Sequence, residues 1–174
     1  STIADLLWMR QNGLEGKILR HASAGGLVFG ICGGYQMLGA EVHDPDGVEA
    51  GAGKCVRGME LLPARTVFEP EKHRTQITGH FGIVQGAFAE LTDVPFAGYE
   101  IHMGKTECMG ETEPLLHLDS GTADGMQHGN VYGCYIHGIF DQAEVVTAIL
   151  KTILRRKGLD ADQVKSIDRK QYKD

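Results

Sequence analysis

Cys32 lies between glycines, in Gly30-Ile31-Cys32-Gly33-Gly34. A thiol becomes an accessible nucleophile when the backbone beneath it turns sharply, and flanking glycines permit that turn. The apolar run Leu27-Val28-Phe29 before it reads as a strand, and Tyr35-Gln36-Met37-Leu38 after it as a helix start. A cysteine at that junction faces free N–H groups and the positive helix end, which favour a thiolate. The Gly33 N–H is next in the chain and is placed to donate to an oxyanion. A structural cysteine would be a small buried hydrophobe after a strand, but it would not need glycines on both sides.

A nucleophile needs a base. His137 ends the run Val131-Tyr132-Gly133-Cys134-Tyr135-Ile136 and precedes Gly138. That places it at a strand end, where catalytic residues of open α/β sheets gather. A cysteine and a histidine from two strand ends can meet in space while far apart in sequence.

Zinc chemistry is not expected. The eight histidines and four cysteines show no ligand spacing. His21, His43, His73, His80, His117 and His128 read as surface or loop residues, and Cys55, Cys108 and Cys134 as inert thiols. With cysteines scattered and no CxxC pair, reduced cytoplasmic thiols fit better than a disulfide framework.

The elements that must hold these residues alternate in an α/β manner. Thr2 to Gln11 reads as a helix with Thr2 as N-cap and Gly13 as its stop. A second helix is expected from about Glu15 to Ala22, followed by the Leu27–Ile31 strand, the elbow and a short helix. Helix, strand, elbow and helix imply an open, mostly parallel sheet flanked by helices. Asp44-Pro45-Asp46-Gly47 is a turn, and Val48 to Lys54 a loop. The middle is strand-rich: Cys55–Phe68 and Thr75–Val84 divided by the charged stretch 69–74, then Ala97–Thr106 and Leu115–Leu118. Ser120 to Gly129 reads as turns. Asp141 with Glu144 three residues on has capping-box spacing and opens a last helix. Its expected apolar face is Val145, Val146, Ile149, Leu150, Ile153 and Leu154, and Gly158 ends it. One domain over 1–158 and a charged, solvated tail over 159–174 follow.

Composition excludes several classes. The net charge of −6, with no basic stripe, argues against non-specific nucleic-acid binding. No apolar run approaches a membrane span and no signal peptide is visible, so a cytoplasmic protein is expected.

Gly30-Ile31-Cys32-Gly33-Gly34-Tyr35-Gln36-Met37-Leu38-Gly39 resembles the nucleophile motif of class I glutamine amidotransferases. Three further stretches, His43–Glu49, Gly98–Gly104 and Tyr135–Asp141, narrow the resemblance to the cobyric acid synthase branch. The resemblance runs in order to about Gly158 and implies a glutaminase. Cys32 would attack the amide of L-glutamine, His137 would move the proton, and Gly33 and Gln36 would serve oxyanion and substrate binding. Gly30 and Gly34 would support the turn. Glu100 and His102 would take a binding or domain-contact role.

The resemblance also implies a longer protein. In that family one or two strands and a glycine-bearing loop come first, so this chain reads as a fragment lacking them. The ammonia would pass to an N-terminal synthetase domain that uses ATP and Mg²⁺ to amidate corrin carboxylates in cobalamin biosynthesis. No GxxxxGK[ST] loop is present here, so this chain itself is expected to hold no cofactor. Many class I members carry a Glu two residues after the histidine, where this chain has Ile139. Asp141 and Glu100 are the candidates to orient His137, with Asp141 read in preference as the helix cap. The alternatives are a cobyrinic acid diamide synthase, a cell-wall amidotransferase subunit, a cysteine hydrolase of a related fold, and a non-catalytic interaction module.

Overall fold

The computed structural model describes residues 1–161. The expected tail 159–174 therefore lies outside the described residues from position 162 onward. Within its first residues, Ala161 is buried rather than solvated.

The first helix, α1, spans Thr2–Gln11 as expected, but its cap is Ser1, whose Oγ accepts from the Ala4 N–H at 3.2 Å. Thr2 is buried instead. Helix α2 spans Leu14–Ser23. Strand β1 (Val28–Ile31) then leads through Cys32 into the short helix α3 (Gly33–Leu38). Strands β2 (Glu41–Asp44), β3 (Lys54–Arg57), β4 (Ala64–Phe81) and β5 (Pro95–Cys108) follow. The short β6 (Leu116–Leu118), β7 (Ala123–Asp124), β8 (Met126–His128), β9 (Val131–Cys134) and β10 (Ile136–His137) come next, and helix α4 (Ala143–Arg156) closes.

The α/β class and the strand-rich middle agree with expectation. Two mixed sheets replace one mostly parallel sheet. Among the described residues, parallel pairing is confined to β1 with β9 and β2 with β4. One sheet runs β1-β9-β8, leaving β1 at an edge. The other runs β10-β5-β4-β2-β3, with β6 attached along β4 and β7 paired to β6. The reason is local: long antiparallel partners need no crossover helix, and the middle of the chain contains none.

Three boundaries differ from the sequence reading. The charged stretch 69–74 does not divide two strands, because β5 pairs with β4 on both sides of a register shift between Val67 and Lys72. The 120–129 stretch contains β7 and β8, since β9 offers β8 a partner that local propensity does not reveal. Helix α4 begins after Gln142, and Asp141 belongs to a preceding 3₁₀ turn. The buried stripe of α4 is Val145, Ala148 and Thr152, while Leu150 and Ile153 lie more than a third exposed.

Two apolar cores hold the sheets. One joins α1, α3, β2 and β4 through Ile3, Leu6, Tyr35, Val42 and Phe68. The other lies under α4 and includes Phe81, Phe96, Tyr132, Ile136 and Val145. All four residues of β9 are buried, as expected of a strand covered on both faces.

The 45–53 loop is ordered by one buried carboxylate. Asp44 is fully buried and accepts from the N–H groups of Val48, Glu49 and Ala50 at 2.7, 2.9 and 2.6 Å. Burial alone would raise its pKa, but these N–H groups and that of Gly47 outweigh it and hold the carboxyl below its ordinary range. A lowered pKa stabilises the fold above the unfolded value and loses that contribution as pH falls through the folded value. Asp44→Asn is expected to destabilise the chain by about 1–3 kcal/mol at neutral pH. It should also remove part of the acid dependence, read from denaturant melts across the acidic range; equal melts for both proteins at every pH would contradict this.

Candidate active site

The turn after β1 is strained at one residue. Cys32 has φ 56° and ψ −114°, a region that non-glycine residues rarely occupy, at a cost of about 1–3 kcal/mol. Its N–H donates to the Cys134 carbonyl at 2.9 Å, and its carbonyl accepts from the Gln36 N–H at 3.1 Å. The thiol is thus presented at the junction where β1, β9 and α3 meet.

The neighbouring glycines differ in what they do. A Cβ on Gly30 would lie 2.6 Å from Leu38 Cδ1 and 2.8 Å from the Gly34 backbone, so the close return of α3 onto β1 needs its absence. A Cβ on Gly33 would meet Thr2 Oγ1 at 3.1 Å, which brings the start of α1 beside the elbow. Gly34 faces open space and is not required on steric grounds.

The thiol is half-buried, and its Sγ–H donates to the Ile101 carbonyl at 3.4 Å. The expectation of a thiol poised as thiolate is corrected here. Burial pushes the Cys32 pKa up, the Gly33 N–H pulls it down, and the Glu49 carboxylate pushes it up again. Helix α3 is one turn and a half long, so its dipole is too small to outweigh burial. Glu49 is carried by the Asp44-ordered loop and accepts from the Ile3 N–H at 3.3 Å.

His137 lies on β10, opposite Tyr99 of β5, and its ring stacks on Tyr99 with centroids 5.2 Å apart. It follows by three positions Cys134, whose carbonyl holds the Cys32 N–H. Among the described residues, its imidazole makes no hydrogen bond to Cys32, Glu100 or Asp141. Glu100 stands opposite Ile136 in the register, yet its carboxylate turns to His102 Nε2 at 3.2 Å. Neither expected carboxylate therefore orients His137. Nor does Asp141 cap α4.

The Gln36 amide is buried, and protein groups take its hydrogen bonds. Its Oε1 accepts from Thr2 Oγ1 at 2.9 Å, while Nε2 donates to Tyr135 OH at 3.1 Å and to the Met103 carbonyl at 3.3 Å. In this state Gln36 braces α3 against β5 rather than lining an open pocket.

Tyr135 is the residue the sequence reading passed over. Its hydroxyl also contacts Thr106 Oγ1, which reaches Thr66 Oγ1 at 2.8 Å. Its ring stacks on His102 at 3.7 Å and meets Tyr35 edge-on. Its N–H donates to the carboxylate of Asp124, a group that burial holds above its ordinary pKa. A tyrosine two positions before His137 was the available signal, but aromatic residues are common in strands. Among the described residues, no group of three His, Cys, Asp or Glu is arranged to hold a metal ion.

Glu49 is expected to act on the thiol through its charge. Glu49→Gln keeps an acceptor for the Ile3 N–H but removes the charge that disfavours thiolate. The pH midpoint for Cys32 alkylation by iodoacetamide should move down relative to wild type. An unchanged or raised midpoint would contradict this.

With the geometry in place, the chain can be compared with known proteins. Residues 1–145 match the model of the CobB/CobQ-like glutamine amidotransferase domain. The chain is 46% identical over 181 residues to a cobyric acid synthase of Ruminiclostridium cellulolyticum, covering 100% of this chain and 35% of the relative. It is 42% identical to one of Lachnoclostridium phytofermentans, covering 100% and 36%, and 40% identical to one of Photorhabdus laumondii, covering 99% and 35%. The chain thus spans about a third of the length of these curated relatives. Two solved structures share the fold. One is a glutamine amidotransferase with TM-score 0.58 and 18% identity, covering 91% of this chain and 76% of that one. The other is a glutamine amidotransferase from Thermotoga maritima with TM-score 0.50 and 13% identity, covering 93% and 63%. Fold, elbow and family match agree: this chain belongs to the CobB/CobQ-like glutamine amidotransferase domain family.

Proposed function

We propose that this chain is the glutamine-hydrolysing part of a cobyric acid synthase. The observation that carries the reading is Cys32 in a strained turn at a strand–helix junction, within a domain matched over residues 1–145. A cysteine is held at that backbone cost where its exposure to a substrate is useful.

In the proposed reaction Cys32 attacks the side-chain amide carbon of L-glutamine. The thiol proton goes to His137, and the Gly33 N–H donates to the oxyanion of the tetrahedral intermediate. His137 then protonates the departing nitrogen, so ammonia leaves and a glutamyl thioester remains. Water activated by His137 cleaves the thioester and frees glutamate and the thiol. A single oxyanion donor of this kind contributes about 2.7–4 kcal/mol to such steps.

The raised pKa of the resting thiol is consistent with this order, because a general base is then needed at the moment of attack. Among the described residues His137 makes no hydrogen bond that would compete with this role, and its ring stacks on Tyr99. Gln36, braced by Thr2 and Tyr135, holds α3 and with it the Gly33 donor.

The released ammonia would pass to a synthetase domain in the longer protein, where ATP and Mg²⁺ activate corrin carboxylates for amide formation. This chain would hold no cofactor of its own. A cytoplasmic setting fits this biosynthetic role, and among the described residues no helix is long and apolar enough to cross a membrane.

Glutamate release from glutamine tests the reading. Cys32→Ala and His137→Ala are each expected to lower it by about 10³-fold or more while leaving thermal melts near wild type. Hydrolysis that survives Cys32→Ala would overturn the proposal.

A further inference from the structure

Side chains alternate along β5, so Glu100 and His102 share one face of the strand, while Tyr99, on which His137 stacks, lies on the other. On their own face the two residues line a cavity of about 310 Å³ together with His73, Lys105, Asp124 and Tyr135. The contacts of His102 fix how its ring is protonated. Its side chain is only 10% exposed. Nδ1 lies 3.0 Å from the Gly104 carbonyl, and Nε2 lies 3.2 Å from Glu100 Oε2. A carbonyl and an ionised carboxylate only accept, so each ring nitrogen must carry a hydrogen. The ring is therefore an imidazolium with Glu100 as its counter-ion. Two further titratable groups face it. Asp124, on β7, is pushed up in pKa mainly by burial; the Glu100 charge adds to this and the His102 charge opposes it. The His73 ring, on β4, lies 5.3 Å away, and its buried Nε2 has no hydrogen-bond partner among the described residues.

What the imidazolium holds is Tyr135. The two rings stack with centroids 3.7 Å and planes 15° apart, and a cation over the negative face of an aromatic ring is attracted to it. From Tyr135 the hold reaches the elbow in two steps. The Tyr135 hydroxyl accepts from Gln36 Nε2 at 3.1 Å, and the Gln36 N–H donates to the Cys32 carbonyl at 3.1 Å. Tyr135 also stands two positions before His137. One charged ring thus bears on the turn of the nucleophile and on the strand of the base, from the face of β5 that His137 does not occupy.

We infer that His102, doubly protonated and paired with Glu100, is a positioning residue that clamps Tyr135 and through it aligns Cys32 and His137. The inference rests on the glutaminase reading and deepens it. His102 touches neither substrate nor reacting atoms, so its loss misplaces the reactive pair without removing a substrate contact. The effect falls on the chemical step and not on glutamine binding.

Two measurements test this. Ring ¹⁵N NMR of the wild-type chain reads the protonation directly, with the His102 signals assigned by their absence in His102→Phe or their shift in Glu100→Gln. Both nitrogens are expected at protonated shifts at neutral pH, and a neutral tautomer overturns the inference. Steady-state glutamate release then separates positioning from binding. His102→Phe keeps a flat ring against Tyr135 but has neither N–H. It is expected to lower kcat by about ten- to a hundredfold, the scale of a misplaced reacting group, and to leave KM within about twofold. Glu100→Gln keeps the imidazole and removes its counter-ion, so kcat should fall by a smaller factor with KM again unchanged. A wild-type kcat in His102→Phe, or a loss confined to KM, overturns the assignment while leaving the glutaminase reading intact. Where His102→Phe does not fold, Glu100→Gln decides: a kcat equal to wild type overturns the assignment in the same way. If the wild-type chain shows the expected ring shifts but releases no glutamate, the glutaminase reading itself fails, and this inference fails with it.

Discussion

A left-handed backbone at a residue with a side chain is the constraint on which the rest depends. Cys32 is one of three non-glycine residues with positive φ among the described residues, and it joins β1 directly to α3. That conformation persists because the surroundings fix it from both sides. The Cys134 carbonyl holds its N–H, the Gln36 N–H holds its carbonyl, and the missing side chain at Gly30 lets α3 return closely onto β1. The strain is local, and β9, β1 and α3 together maintain it.

A hydrogen-bond relay runs beside the two apolar cores that hold the sheets together. Thr2 on α1 reaches Gln36 on α3, Gln36 reaches Tyr135 between β9 and β10, and Tyr135 reaches Thr106 on β5 and through it Thr66 on β4. Each link fixes an element that bears on the elbow. Buried polar chains are stabilising only when every member is satisfied, so this one also specifies a single arrangement. Glu49 enters from another direction, on a loop ordered by the buried Asp44 carboxylate. The result is a thiol that is exposed by its turn yet held protonated by burial and a nearby carboxylate.

Much of this was legible in the residues. Gly30, Cys32 and Gly33 announced the elbow, because few other patterns need that chemistry around a cysteine. The α1 periodicity gave that helix to the residue, and the strand read over Ala97–Thr106 lies within β5, two residues short at each end. What was not legible depends on partners distant in sequence. The unbroken β4 and the small strands β7 and β8 exist because a neighbour supplies hydrogen bonds. The Gln36 amide looked like a substrate ligand, and its burial follows from Thr2 and Tyr135, which lie 34 and 99 residues away. The thiolate expectation failed for a similar reason: helix position is local, but desolvation is set by the whole fold. Glu100 and Asp141 looked able to orient His137, but β5 turns Glu100 to His102 and the 3₁₀ turn takes Asp141.

The central claim is that the strained Cys32 forms a covalent glutamyl thioester. The most direct measurement mixes the chain with isotopically labelled glutamine, quenches it in acid within the turnover time, and maps the label by peptide mass spectrometry. The account predicts a transient glutamyl adduct on the Cys32 peptide, with Cys55, Cys108 and Cys134 unlabelled. Glutamate formed with no adduct on Cys32 at any quench time, or label on another cysteine, would contradict it.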